Sequence, residues 1–352
     1  MAINENSIQA TQDKMKAMLG DFISESEIEQ KAALVYKINQ LKKERKAIIL
    51  GHNYMEPVLY HTVPDYVGDS LELSRKAAHT EKDVIVFCGV EFMAETAKIL
   101  SPDKTILVPS TKAGCSLAES ITAEDVRQLK KRYPGIPVVT YVNTYADVKA
   151  ESDYCCTSGN AKQVVEFIDS DRIIFLPDEY LAGNVAAESG KTIIFPEKSA
   201  NGTLVHPEGL AEYDLIGWRG RCEVHEQFSV RDIKTVRKQY PDVVVLAHPE
   251  CSPEVVQASD YAASTSKMID YIKTTDAPYY LLLTESSMAE NIVAENPEKN
   301  LVRVCDIKCP HMKLITLEET FNSLKYMRYE IEVPEDIRKK AKKAVDRMLE
   351  IS

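Results

Sequence analysis

Lys46–Tyr54 (KAIILGHNY), Val84–Leu100 (VIVFCGVEFMAETAKIL) and Lys104–Glu119 (KTILVPSTKAGCSLAE) set out a plan that the chain follows twice more. The second pass runs through residues 137–145 (PVVTYVNTY), 172–186 (RIIFLPDEYLAGNVA), 191–198 (KTIIFPEK) and 217–226 (GWRGRCEVHE). The third runs through 243–251 (VVVLAHPEC), 279–293 (YYLLLTESSMAENIV) and 299–311 (KNLVRVCDIKCPH). Each pass alternates short apolar runs of strand type with amphipathic helical stretches, the pattern of parallel sheets covered by helices. Each also ends on a cysteine: Cys115, Cys222 and Cys309. Generic α/β alternation accounts for the strands but not for matched cysteines, so the repeat implies three related units that each supply one thiol.

The spacings agree with triplication. The first strand of each unit ends near His52, Asn143 and His248, and a hydroxyl cluster follows at Ser70, Ser158, and Ser264 with Thr265. The second unit is longer, and Ala200–Asp214 (ANGTLVHPEGLAEYD) reads as an inserted loop. Residues from about 5 to 45 read as helical, and the tail beyond 312 as two helices separated by Val333-Pro334. The expected organisation is a helical segment 1–45, αβα domains at 46–116, 117–223 and 224–311, and tail helices 312–352 packed on the first domain.

A net charge of −11 gives no electrostatic pull toward nucleic acid or an anionic membrane. No apolar run approaches the roughly 20 residues of a membrane span. The polar N-terminus lacks the core of a signal peptide, which makes the cytoplasm the expected address. Eight cysteines in such a compartment argue against a disulfide framework, and without a CxxC pair a zinc ribbon has no support. There is no GxGxxG and no GxxxxGK[ST], so nucleotide binding has none either.

In open parallel sheets ligands gather at the carboxyl ends of strands. There the first unit offers His52, Asn53 and Tyr54, the second Tyr141 and Asn143, and the third His248 and Glu250. Each hydroxyl cluster falls at a helix start, where free N–H groups favour anions. Simple N-capping is the plainer reading of any one of them. Several around one cavity suit a substrate with carboxylates and a phosphate. Glu250 is expected to have a raised pKa and to act as general base. The three repeat-end thiols fit an iron–sulfur cluster with one vacant corner better than zinc, since a fully ligated cluster takes four cysteines. A mixed site using Cys222 and His225 remains the zinc alternative. Cys88 reads as core, and packing or capping suffices for Cys155 and Cys156. His61, His79, His206, His225 and His311 read as surface or supporting residues.

These motifs resemble quinolinate synthase, the A protein of the de novo NAD pathway: GHNY (51–54), VGDSLELSRKA (67–77), FMAETAKIL (92–100), AGCSLA (113–118), YVNT (141–144), CTSGNA (156–161), CEVHEQF (222–228), AHPEC (247–251) and STS (264–266). The resemblance implies three αβα domains around a pseudo-threefold axis, surrounding a central active site. It implies a [4Fe–4S] cluster on Cys115, Cys222 and Cys309. The implied reaction condenses iminoaspartate with dihydroxyacetone phosphate, releasing phosphate, two waters and quinolinate. By the same resemblance His52, Ser70, Tyr141, Asn143, Ser158, His248, Ser264 and Thr265 would hold substrate, and Glu250 would move protons with Tyr54, Tyr141, His52 and His248 beside it. Coupling to an aspartate oxidase or dehydrogenase is implied because iminoaspartate is unstable in water. The chain departs from the family pattern at the 200–214 loop. It also has only Cys305 and Cys309 where some relatives carry CxxCxxC. The competing readings are a zinc-dependent lyase or hydrolase, and a non-catalytic metabolite or redox sensor.

Overall fold

The computed structural model describes residues 2–199, 204–205 and 212–351. Two helices, α1 (Ile8–Leu19) and α2 (Glu25–Glu44), open the chain. The expected single helical segment is broken here: the Gly20 N–H ends α1 on the Lys16 carbonyl, and the Ser24 hydroxyl caps α2 at the Glu27 N–H.

The first unit comprises β1 (Ala47–His52), α3 (Pro57–Thr62), β2 (Tyr66–Gly68), α4 (Ser70–His79), β3 (Val84–Cys88), α5 (Glu91–Leu100) and β4 (Thr105–Leu107). The second begins with α6 (Ser116–Glu119) and α7 (Ala123–Arg132). It continues through β5 (Val138–Tyr141), α8 (Ala146–Ala150), β6 (Tyr154–Cys156), α9 (Ala161–Phe167), β7 (Ile173–Leu176), α10 (Glu179–Glu188), β8 (Ile193–Ile194), β9 (Glu197–Lys198), β10 (Leu204–Val205) and β11 (Leu215–Ile216). The third, entered through a 3-10 turn at His225–Gln227, has α11 (Val230–Gln239), β12 (Val243–Ala247), α12 (Pro253–Ala258), β13 (Tyr261–Ala262), α13 (Thr265–Thr274), β14 (Tyr279–Leu283), α14 (Ser286–Glu295) and β15 (Leu301–Val302). A second 3-10 turn at Met312–Leu314 leads to α15 (Leu317–Tyr326) and α16 (Glu335–Glu350).

The three sheets share one topology. Their orders are β2-β1-β3-β4, β6-β5-β7-β11-β8 and β13-β12-β14-β15. Every pairing within them is parallel, so the architecture is three helix-covered parallel sheets. The central strands are buried on both faces, which is why they read as unbroken apolar runs.

The second unit corrects one part of the sequence alignment. KTIIFPEK was matched to the strand before the first unit's cysteine, yet its Ile193–Ile194 is an edge strand. The place next to the central β7 is taken by β11, whose Leu215 and Ile216 are fully buried. β11 ends six residues before Cys222, as β4 and β15 end eight and seven before Cys115 and Cys309. The extra length therefore begins at β8 rather than at Ala200. Most of the 200–214 stretch lies outside the described residues, apart from a short antiparallel pairing of Leu204–Val205 with Glu197–Lys198.

The tail also differs from expectation. α15 lies on α2 and β3, whereas α16 lies mainly on α8 and β6 of the second unit as well as on α5. Its buried Ala341, Ala344, Val345 and Met348 join the core shared by both units. Asn160 pins this helix: its Nδ2 donates to the Met348 carbonyl at 3.1 Å, while its Oδ1 accepts the Thr157 N–H at 2.8 Å. Asn160→Ala would strand a buried donor and a buried acceptor, and denaturant titration should show a loss of roughly 2–4 kcal/mol.

Candidate functional site

Where the three units meet, one cavity is lined by residues of all of them, including Cys115, Cys222 and Cys309. One repeated hydrogen bond delivers each thiol there. The N–H of the first residue of the helix after the central strand donates to the carbonyl two residues before the cysteine. The three bonds are Glu91 to Ala113 at 2.8 Å, Glu179 to Gly220 at 2.8 Å and Ser286 to Ile307 at 2.9 Å. After each cysteine the chain turns helically, so that two N–H groups face the sulfur. They come from Leu117 and Ala118 for Cys115, from Val224 and His225 for Cys222, and from His311 and Met312 for Cys309. The loops also brace one another. The Ser116 hydroxyl donates to the Arg221 carbonyl at 3.4 Å and accepts the Glu223 N–H at 3.3 Å, and His311 Nε2 sits 3.1 Å from Glu223 Oε1.

The strand ends supply the rest. His52 and His248 make the same local bond: their Nδ1 atoms accept the N–H two residues on, from Tyr54 at 3.2 Å and Glu250 at 3.3 Å. That bond leaves Nε2–H as the donor of each neutral ring. His248 Nε2 meets the Ser158 hydroxyl at 3.2 Å. Burial lowers His52 to about 4 and His248 to about 3, with Glu250 opposing in both cases.

Glu250 is the hub. Its Oε1 accepts from the Tyr141 hydroxyl at 2.5 Å and Asn143 Nδ2 at 3.3 Å, and its Oε2 lies 2.7 Å from His225 Nδ1. The expected raised pKa is not found. Burial alone would raise the Glu250 carboxyl, but the facing His248 and His225 and the hydrogen bonds from His225 and Tyr141 hold it well below the ordinary carboxylate range. Burial and the Glu250 charge push the Tyr54 and Tyr141 hydroxyls far up, so both remain protonated donors.

Ser70, Ser158, Thr265, Asn143 and Tyr54 also line the cavity. The capping reading of the hydroxyls fails. Asp69 caps α4, and neither Ser158 nor Ser264 makes a side-chain cap bond to the helix that follows it. Ser264 stands apart from the lining residues, because its hydroxyl donates to Asp69 Oδ2 at 3.0 Å. Asn53 is also turned to packing, donating to Thr265 Oγ1 at 2.9 Å.

The sequence reading gives His225 a surface or supporting place, or a ligand's place in the zinc alternative. It is buried, stacks on His248 with ring centroids 4.5 Å apart, and meets Thr284 Oγ1 at 3.0 Å and Cys222 Sγ at 3.2 Å. Thr284 also hydrogen-bonds the Tyr54 hydroxyl at 2.6 Å. Both were findable: His225 follows Cys222 by one helical turn, and Thr284 directly follows the third unit's central strand β14. His61 is likewise buried rather than superficial, and His206 lies outside the described residues.

Cys222, His225 and Glu250 bring one potential metal-ligand atom each within 4.8 Å of one another. Hydrogen bonding explains that closeness, since the His225 Nδ1–H lies between two acceptors. Burial pushes Cys115 up to about 12 and Cys309 to about 11, and raises Cys222 well above an ordinary thiol. A strongly cationic group would be needed to take them as thiolates.

The model of the family described as "Quinolinate synthetase A protein" matches residues 36–350. "Quinolinate synthase 2" of Mesorhizobium japonicum is 50% identical over 314 residues, covering 89% of this chain and 90% of that protein. "Quinolinate synthase" of Agrobacterium fabrum is 51% identical over 317 residues, 90% of this chain and 85% of that protein. "Quinolinate synthase" of Xylella fastidiosa is 51% identical over 314 residues, 89% of this chain and 86% of that protein.

Two outcomes follow from the geometry. The imidazole signals of His52 and His248 should stay at neutral-ring shifts from pH 8 to about 5 in an NMR titration. Because their folded pKa values lie below the unfolded value, these two rings reduce stability only as pH falls below about 6.5. At Gly220 a methyl would meet the Pro177 carbonyl oxygen at 2.7 Å. Gly220→Ala should therefore cost about 1–3 kcal/mol in thermal or chemical unfolding as the Cys222 loop gives way.

Proposed function

The chain belongs to the quinolinate synthetase A family, and from that premise we propose that it condenses iminoaspartate with dihydroxyacetone phosphate to form quinolinate, phosphate and two waters. We further propose that Cys115, Cys222 and Cys309 hold a [4Fe–4S] cluster with one iron left open. The observation that carries this reading is the convergence of three repeat-related thiols on one cavity, each facing two backbone N–H groups of the turn that follows it. Soft thiolates suit such a cluster. Held by these three cysteines, such a cluster would supply Lewis-acid chemistry for the loss of hydroxide.

The protein's own groups divide the remaining work. The Nε2–H donors of His52 and His248 and the hydroxyls of Ser70, Ser158 and Thr265 receive carboxylate and phosphate oxygens. Asn143 holds its amide toward the cavity, with Oδ1 left without a partner. Glu250, ionised and at the centre of the network, holds Tyr141, Asn143 and His225 as oriented donors, and proton transfer to and from substrate passes through the groups it aligns. His52, Tyr141, His225, His248, Glu250 and Thr265 are buried, which shields that part of the cavity from bulk water. Among the described residues no helix is long and apolar enough to cross a membrane, and none of the eight cysteines is paired in a disulfide. An aspartate oxidase or dehydrogenase would supply the imine, which is unstable in water.

Anaerobically purified protein should be brown and carry about four irons and four sulfides per chain. Alanine at Cys115, Cys222 or Cys309 should abolish that content. Stoichiometric zinc without sulfide would instead support a site on Cys222, His225 and Glu250 and overturn the cluster reading. Glu250→Gln should keep iron and sulfide but lower turnover by roughly a hundred- to ten-thousand-fold in a quinolinate assay. Full activity in that variant would remove Glu250 from the chemistry.

A further inference from the structure

The three units differ at one position that bears directly on the thiols. The residue just before each loop-anchoring helix N–H is Val90 in the first unit, Asp178 in the second and Glu285 in the third. Val90 has no hydrogen-bonding side chain. Asp178 spends Oδ1 on its own helix at the Leu181 N–H, 2.7 Å away, and its buried Oδ2 has no hydrogen-bond partner. Glu285 is one methylene longer. Its Oε2 caps its helix at the Ser287 N–H, 2.6 Å away, and its Oε1 accepts both the Ser287 hydroxyl at 3.2 Å and the Cys309 N–H at 3.4 Å. Of the three equivalent side chains, only Glu285 reaches a cysteine. It is buried, and the neighbouring Thr284 grips Tyr54 and His225 on the other side. The end of β14 thus braces the reacting cavity with one residue and the third thiol loop with the next.

We propose that Glu285 is a positioning residue that fixes Cys309 through its backbone N–H, so that retention of the metal group depends on this carboxyl and not on Asp178 or Val90. This rests on the cluster reading given above. Without the tether, the Cys309 loop keeps its Ser286–Ile307 bond but loses the contact made on the ligand residue itself.

Glu285→Asp is the decisive variant, because it gives the third unit the second unit's arrangement: a helix cap too short to reach the loop. Glu285→Gln keeps the length and an accepting oxygen. Both are purified anaerobically beside the wild type, checked by thermal melting, and exposed to an iron chelator while colour loss is followed. The aspartate variant should melt like wild type and release iron roughly ten- to a hundredfold faster, the range seen when an outer partner of a metal ligand is lost. The glutamine variant should release iron at a rate between the two, since its one amide oxygen can accept either the Ser287 N–H or the Cys309 N–H but not both. An aspartate variant that releases iron at the wild-type rate overturns the proposal. A wild-type protein without iron and sulfide would sink the cluster reading itself, an outcome separate from either.

Discussion

Three hydrogen bonds of one kind set the geometry on which the rest depends. A helix N-terminus has N–H groups with no partner inside the helix, and here the first of them in each unit is spent on the cysteine loop. The bond joins two rigid things, the central strand–helix junction and a loop that would otherwise wander. Because it recurs in all three units, three loops of different sequence present their thiols to one space. Removing the symmetry of the donors would leave three cysteines on three unrelated loops.

The polar wall of the cavity is tolerable for a similar reason. A buried carboxylate is costly when unpaired. Glu250 receives a phenol, an amide and an imidazole, and that ring in turn meets Thr284. The network is asymmetric: the partners come from the second unit, from the Cys222 turn and from β14, while the carboxylate comes from the third unit. No unit could satisfy it alone, so the cavity forms only when the units are assembled. The same dependence explains why Glu250 stays ionised despite its burial. The preference of a carboxyl is set by the donors aimed at it as well as by the water it loses.

Much of this was legible in the chain, for definable reasons. Apolar runs with the right spacing marked the strands, and the terminal cysteines stood out because they recurred. His52, His248, Tyr141 and Glu250 lie at strand ends, where a linear reading finds them. What escaped was whatever depends on contacts between units. His225 looked ordinary because its partners Glu250 and Thr284 are 25 and 59 positions away. The sense of the Glu250 shift was lost for the same reason, since burial can be guessed from neighbours in sequence, whereas His225 and Tyr141, 25 and 109 positions away, cannot. The misplaced strand in the second unit had a different origin: KTIIFPEK and KTILVPST look alike, yet only the pairing of Leu215–Ile216 with β7 decides which run occupies the inner position.

The three thiols carry a further consequence of burial. Left to themselves they prefer the protonated form, since the enclosing walls remove the water that would solvate a thiolate. The two N–H groups at each sulfur work in the opposite direction but do not prevail. An arrangement of that kind is poor at attracting oxidants as a set of free thiols and receptive to a cationic group that supplies the missing charge. On the proposed cluster reading, binding would release those protons. The fold thus prepares the position of each sulfur in advance and leaves its charge to be settled by what binds.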